Sequence, residues 1–287
     1  MMLLENKKNT ICAITEVIPQ SHIVVFSPHF DDVLFMLGGY ISELKRTGTL
    51  HTKKFHINLL FSKSNYLARS GRENFNKSLE RIKFATGQRL LEDQECIDEM
   101  LGKFNYRYEI LGESECFTRG KKFADSEMEF PHGMYEDFDD SDKEIFRRMK
   151  ERIRSWAACP DTALIFPIAF KEHIDHFIVR EAAVEVAKEL NGEGKARFYF
   201  QEDKPYGGIA TENERQRIDH FISTNALECR TFRYDPEHMI TLAFKHYITQ
   251  VEEVYKIGIR NRAKYLEEVT HADGPCDRIY LYDNGAL

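Results

Sequence analysis

The chain has 287 residues, of which 42% are apolar and 30% charged, an ordinary balance for a soluble globular protein. A net charge of −7 and a pI near 5.9 argue against general binding to nucleic acid or to anionic membranes. Six scattered cysteines at positions 12, 96, 116, 159, 229 and 276 form no C-x-x-C pair and suit free thiols in a reducing compartment. No stretch approaches the roughly 20 apolar residues of a membrane span, and no signal-peptide order is present at the start. The expectation is a single cytoplasmic domain over residues 1–287, with no membrane span and no nucleic-acid partner.

In chain order, residues 23–27 (Ile-Val-Val-Phe-Ser) read as a buried strand, too short and too β-branched for a helix. From Asp32 the period changes. Leu34, Leu37, Ile41 and Leu44 recur at offsets of three and four, and Lys45-Arg46-Thr47-Gly48 supplies basic residues and a glycine stop. A strand is expected over Phe55–Phe61, a helix over 89–101 ending at Gly102, and a strand over Tyr106–Leu111. The acidic stretch Asp125–Asp142 reads as part of a long surface loop of about 112–140. Ser141-Asp142-Lys143-Glu144 is then expected to be a capping box, opening a helix with Phe146, Met149, Ile153 and Trp156 on one face.

A strand at 162–168 follows, then a helix with Ala183, Val186, Ala187 and Leu190 inward, stopped by Asn191-Gly192. Arg197–Gln201 is a short strand. The C-terminal region, about 207–287, reads as mainly helical, with a helix near 241–268. Alternating strands and helices indicate an α/β fold with a Rossmann-like, mostly parallel sheet and helices on both faces.

Two polar clusters stand where buried strands end. His29-Phe30-Asp31-Asp32 follows the first strand, and His173-Ile174-Asp175-His176 follows the run Thr162–Pro167. In open α/β sheets, ligand sites form at such strand ends. His29 and Asp32 can converge across the bend into the helix, leaving Asp31 beside them. Equally, Asp31 or Asp32 can do no more than cap that helix, and Asp175 can cap the next. Two such clusters after two strands favour chemistry: together they offer three ligands for a divalent ion and spare acid/base groups. A bound ion lowers the pKa of its water toward about 7 and generates hydroxide near neutrality. A carboxylate then serves as general base, and a charged imidazole stabilises the oxyanion or protonates the leaving amine. Asp175 can orient His173. Carboxylates in place of a Gly-rich turn disfavour dinucleotide binding.

The two clusters resemble the motifs of the LmbE-like, or PIG-L, family of metal-dependent N-acetylglucosamine deacetylases, (A/S)-H-P-D-D-E and H-x-D-H. Ser27–Val33, followed by Gly38-Gly39, looks like the branch acting on sugars in glycan and glycosylated natural-product pathways. Arg89-Leu90-Leu91-Glu92 is similar to the family's R-x-x-E, Phe200–Tyr206 to Y-E-D-L-P-Y, and Lys245–Gln250 to K-x-x-x-(S/T)-Q. The resemblance implies a Zn²⁺-dependent (or other divalent-metal) hydrolase that removes an N-acetyl group from an amino sugar or glycoconjugate. It makes His29, Asp32 and His176 the metal ligands, Asp31 the base, His173 the oxyanion-side acid with Asp175 tuning it, and Arg89 a sugar contact. Phe30 stands where the family has Pro, and Val33 where it has an acidic residue. The alternatives are a metal amidase for a non-sugar amide and a non-catalytic sugar-binding homologue.

Overall fold

The structure is a computed structural model, and it describes residues 11–121 and 138–282. Most of the expected acidic loop, residues 122–137, lies outside them. Ten α-helices and seven strands are present among the described residues. In chain order they are α1 (Ile14–Val17), β1 (His22–Ser27), α2 (Asp32–Arg46), β2 (Lys54–Leu59), α3 (Leu79–Leu101), β3 (Tyr106–Ile110), α4 (Cys116–Arg119) and α5 (Asp140–Ala157). There follow β4 (Thr162–Pro167), α6 (Ile174–Leu190), β5 (Arg197–Gln201), α7 (Lys204–Ile209), α8 (Glu212–Thr224), β6 (Leu227–Arg233), α9 (Pro236–His246), α10 (Glu253–Thr270) and β7 (Cys276–Tyr282).

The strands make one sheet in the order β3-β2-β1-β4-β5-β7-β6. β1 to β5 run parallel, while β7 pairs antiparallel with both β5 and β6. The expected mostly parallel α/β sheet is therefore what the chain forms. Both faces of the strands are covered, which is why the central ones are continuously apolar. Ile23, Val25, Ala163 and Ile165 pack with α2, α3, α9 and α10 on one face. Val24, Phe26, Leu164 and Phe166 pack with α5, α6 and α8 on the other. Alternate residues of a strand feed the two cores.

Three sequence expectations are corrected. The helix expected near 241–268 is two, α9 and α10, and the C-terminal region also supplies β6 and β7 to the sheet. The α3 helix begins ten residues earlier than expected, at a Ser78 cap that accepts from Arg81 N–H. The capping box opening α5 lies two residues upstream of the expected one: Asp139 accepts from Ser141 and Asp142 N–H, and Asp142 accepts from Asp139 N–H. No described helix is long and apolar enough to cross a membrane.

The order of the sheet creates the site. The chain leaves β1 toward β2 and β3, then crosses back to place β4 on the other side of β1. That reversal opens a crevice at the carboxyl ends of β1 and β4, where ligands bind in open α/β sheets.

Candidate metal centre and active site

The residues that follow all five parallel strands converge on this crevice. β1 delivers His29, Asp31 and Asp32; β2 leads to Ser64; β3 leads to Glu115 and Cys116; β4 delivers His173, Asp175 and His176; β5 leads to Asp203. The turn after β4 is strained, with the non-glycine residues Ala169 and Lys171 both at φ 63°, a conformation that clusters at functional sites.

Three ligand-type atoms form a small triangle. His29 Nδ1 lies 3.2 Å from His176 Nε2 and 3.5 Å from Asp32 Oδ2, and His176 Nε2 lies 3.2 Å from Asp32 Oδ2. Ligands about 2.0–2.1 Å from a tetrahedral cation stand roughly 3.3 Å apart. The triangle therefore has the dimensions that a divalent ion requires. His29, His173 and His176 also bring nitrogen atoms within 4.8 Å of one another, and Asp32, His176 and Asp203 form a similar group.

The imidazoles of His29 and His176 are each held from behind by a carboxylate. His29 Nε2 meets Asp175 Oδ2 at 2.9 Å, and His176 Nδ1 meets Asp203 Oδ1 at 3.2 Å. Such partners fix the tautomer and the ring orientation of a metal-binding histidine. The pocket attracts positive charge. Burial works against protonation of His29, yet hydrogen bonds with Asp175 and Asp32 push its imidazole up to about 9. Burial likewise opposes ionisation of Asp32, but His176 and His29 hold its carboxyl far below the usual carboxylate range.

Asp31 and Asp32 play different parts. Asp32 accepts the His29 N–H at 2.7 Å, which closes the turn. Asp31 occupies the N-cap position of α2, but its side chain makes no capping hydrogen bond. The capping alternative thus fails for this carboxylate. Burial and the neighbouring Asp32 push it up to about 6, against the pull of Arg89.

His173 caps α6 through its side chain, its Nδ1 accepting the Asp175 N–H at 3.2 Å. That contact leaves Nε2 to carry the proton, 3.7 Å from Cys116 Sγ. Burial, then His29, push its imidazole well below its ordinary value. A neutral donor results, where a charged imidazole was expected. The carboxylate of Asp175 bonds His29 Nε2, while its backbone N–H bonds His173 Nδ1 and its negative charge opposes the lowering of that imidazole.

Arg89 is buried, with its Nε donating to Gln250 (2.7 Å) and its Nη1 to Ser64 (2.8 Å) and Glu115 (3.1 Å). Its Nη2 lies 3.9 Å from Asp31 Oδ1, and its guanidinium stands over the Phe30 ring at 5.1 Å. The weaker sequence echoes meet here. Glu92 accepts from Thr249 and Gln250, so the R-x-x-E stretch is bonded to the loop after α9. Asp203, behind His176, comes from the Phe200–Tyr206 stretch. Glu115 and Arg119 received no role from the sequence, Asp142 was read only as part of a helix cap, and Asp203 only as part of the Phe200–Tyr206 stretch.

By sequence, neither a family model nor a curated protein matches the chain. By structure it is similar to the A40926 pseudoaglycone deacetylase, at TM-score 0.58 and 17% identity over 93% of this chain and 100% of that one. It is similar to the zinc-inhibited form of teicoplanin deacetylase, at 0.54 and 16% over 91% and 97%. It is also similar to N,N'-diacetylchitobiose deacetylase from Pyrococcus horikoshii, at 0.52 and 12% over 95% and 88%. The resemblance to LmbE-like deacetylases drawn from the two motifs is thus matched by a shared fold.

Proposed function

We propose that the chain is a divalent-metal-dependent N-deacetylase of the LmbE-like type, with zinc as its metal and an N-acetylated amino sugar or sugar conjugate as its substrate. The observation that carries this reading is the triangle of His29, Asp32 and His176, with edges of 3.2 to 3.5 Å, beside a carboxylate that no helix cap consumes. The fold shared with deacetylases of glycopeptide antibiotics and of diacetylchitobiose supports it.

His29, Asp32 and His176 hold the ion. When bound, it supplies Lewis acidity to a carbonyl and acidifies water. Asp31 takes the proton of the attacking water, a task suited to a carboxyl raised toward neutrality. His173 donates a hydrogen bond from its Nε2–H to the oxygen that gains charge. Asp175 contributes by fixing the ring of His29, and Asp203 by fixing His176. Arg89 stands behind Asp31. Its Nη2, which makes no hydrogen bond among the described residues, is the donor left for a sugar contact.

The test combines metal analysis of protein purified without added metal with acetate release from a panel of N-acetylated sugars. One divalent ion per chain is expected, lost in His29→Ala and His176→Ala. Activity that survives a chelator overturns the metal reading. Brisk cleavage of another amide, with no acetate from any sugar, moves the assignment to a non-sugar amidase.

A further inference from the structure

Arg119 lies at the end of α4, distant in sequence from both motifs, yet its side chain is 5% exposed and buried among carboxylates. Its Nη2 stands 2.8 Å from Asp175 Oδ1 and 2.8 Å from Asp142 Oδ1. Nε donates to Asp142 Oδ1 at 3.0 Å and Nη1 to the Ser114 carbonyl at 2.6 Å. The guanidinium also lies over the Phe61 ring at 5.3 Å. The contact with Asp175 is an ion pair off the hydrogen-bond direction, so it acts by charge and position.

The carboxylate of Asp175 is thereby held at both oxygens. Oδ2 accepts from His29 Nε2 at 2.9 Å and from the Cys116 N–H at 3.0 Å, while Oδ1 faces Arg119. Without the second hold, the carboxylate can rotate about its Cβ–Cγ bond and leave the imidazole. The far side of Arg119 is anchored too. Asp142 is fully buried, closes the capping box of α5 and lies 2.7 Å from Lys121 Nζ.

We propose that Arg119 is a positioning residue for the metal centre. Through Asp175 it fixes the ring of His29, and through Asp142 it ties that ring to the cap of α5. This rests on the assignment of His29, Asp32 and His176 as ligands. Partners one shell out from a metal typically affect affinity by 10–100-fold, and Arg119 acts through such a partner, so a change of about tenfold is expected.

The experiment is zinc titration against a competing chelator on the full chain, with thermal unfolding of each variant measured free of metal. Arg119→Met is expected to bind zinc about tenfold more weakly, and Arg119→Lys to recover part of that loss. Asp175→Asn alone and combined with Arg119→Met is expected to show strong non-additivity, because the arginine acts through the carboxylate. Wild-type zinc affinity in Arg119→Met, or an additive loss in the double variant, overturns the proposal whatever happens to stability. Should Arg119→Met not fold, Arg119→Gln takes its place under the same criteria. A wild-type protein that binds no zinc is a separate outcome, which overturns the ligand assignment itself.

Discussion

At the scale of single residues, the site separates adjacent carboxylates by what each touches. Asp32 is spent on the turn and the triangle, whereas Asp31 is free of the helix cap. Asp31→Asn should therefore fold normally and retain stoichiometric zinc while turnover falls by about 10²- to 10⁴-fold, the usual contribution of a general base. Metal content and acetate release on the same preparation test this, and a near-wild-type rate would reassign the base. Arg89 makes a different prediction. Its buried neighbour Glu115 depends on it for charge, and removing one partner of a buried pair costs about 3–5 kcal/mol. Arg89→Met should lose stability on that order in urea, with part restored by adding Glu115→Gln. An unchanged unfolding midpoint would show that Glu115 finds compensation elsewhere. The candidate ligands were legible because each cluster interrupts a strand end with several polar residues at once. Asp203 was less so, although its place two residues after the strand Arg197–Gln201 was a usable signal. Arg119 was illegible and Asp142 legible only as a helix-cap residue, since only the folded chain links Asp142 to Asp175 through Arg119.

At the scale of elements, the parallel strands were readable because burial on both faces leaves unbroken apolar runs. β7 was not. Its Asp277 and Arg278 disfavour a strand in isolation, and it forms because β5 and β6 flank it and Asp277 meets Lys204 Nζ at 2.8 Å. The first half of α3 was hidden for another reason: Leu79 and Phe84 are exposed, so its apolar residues do not trace one inward face. Expectation and structure also differ at the α5 cap, where Asp139 rather than Ser141 supplies the accepting oxygen. The packing of α7 on α10 depends on two glycines. A Cβ on Gly208 would fall 1.7 Å from the Gly258 carbonyl oxygen, and one on Gly258 would fall 2.0 Å from that of Pro205. Both contacts are with backbone, which has no rotamer to yield. Gly208→Ala should thus move α7 off α10 at a cost of about 1–3 kcal/mol or more. Since α7 starts directly after Asp203, zinc affinity should weaken with it. A melting temperature equal to wild type would mean that the helices separate without cost.

At the scale of the molecule, the parallel half of the sheet carries the candidate site, and the antiparallel strands β7 and β6 are joined to it partly through buried charge. Glu202, just after β5, accepts from Arg262 of α10 at 2.5 and 2.6 Å and from the Tyr280 hydroxyl of β7 at 2.7 Å. One carboxylate therefore binds the parallel half, the last helix and the last strand together. Burial opposes its ionisation, but Arg262 and Tyr280 override that and hold it below its ordinary value of 4.5. A carboxyl depressed in the folded state contributes stability that is fully present above its unfolded pKa. That contribution is lost as pH falls through the folded value. Wild-type stability should accordingly be held at neutral pH and decline below about pH 4.5, with Glu202 supplying part of the slope. Glu202→Gln leaves Arg262 buried without its partner, so it should be about 3–5 kcal/mol less stable at pH 7. Its stability should also fall less steeply on acidification, because unfolding of the variant lacks the proton uptake at position 202 that accompanies wild-type unfolding. Urea unfolding of both proteins from pH 7 to pH 3 measures the two effects together. Parallel pH profiles for wild type and Glu202→Gln would remove this carboxylate from the acid response, and an equal stability at pH 7 would remove it from the joint between the two halves of the sheet.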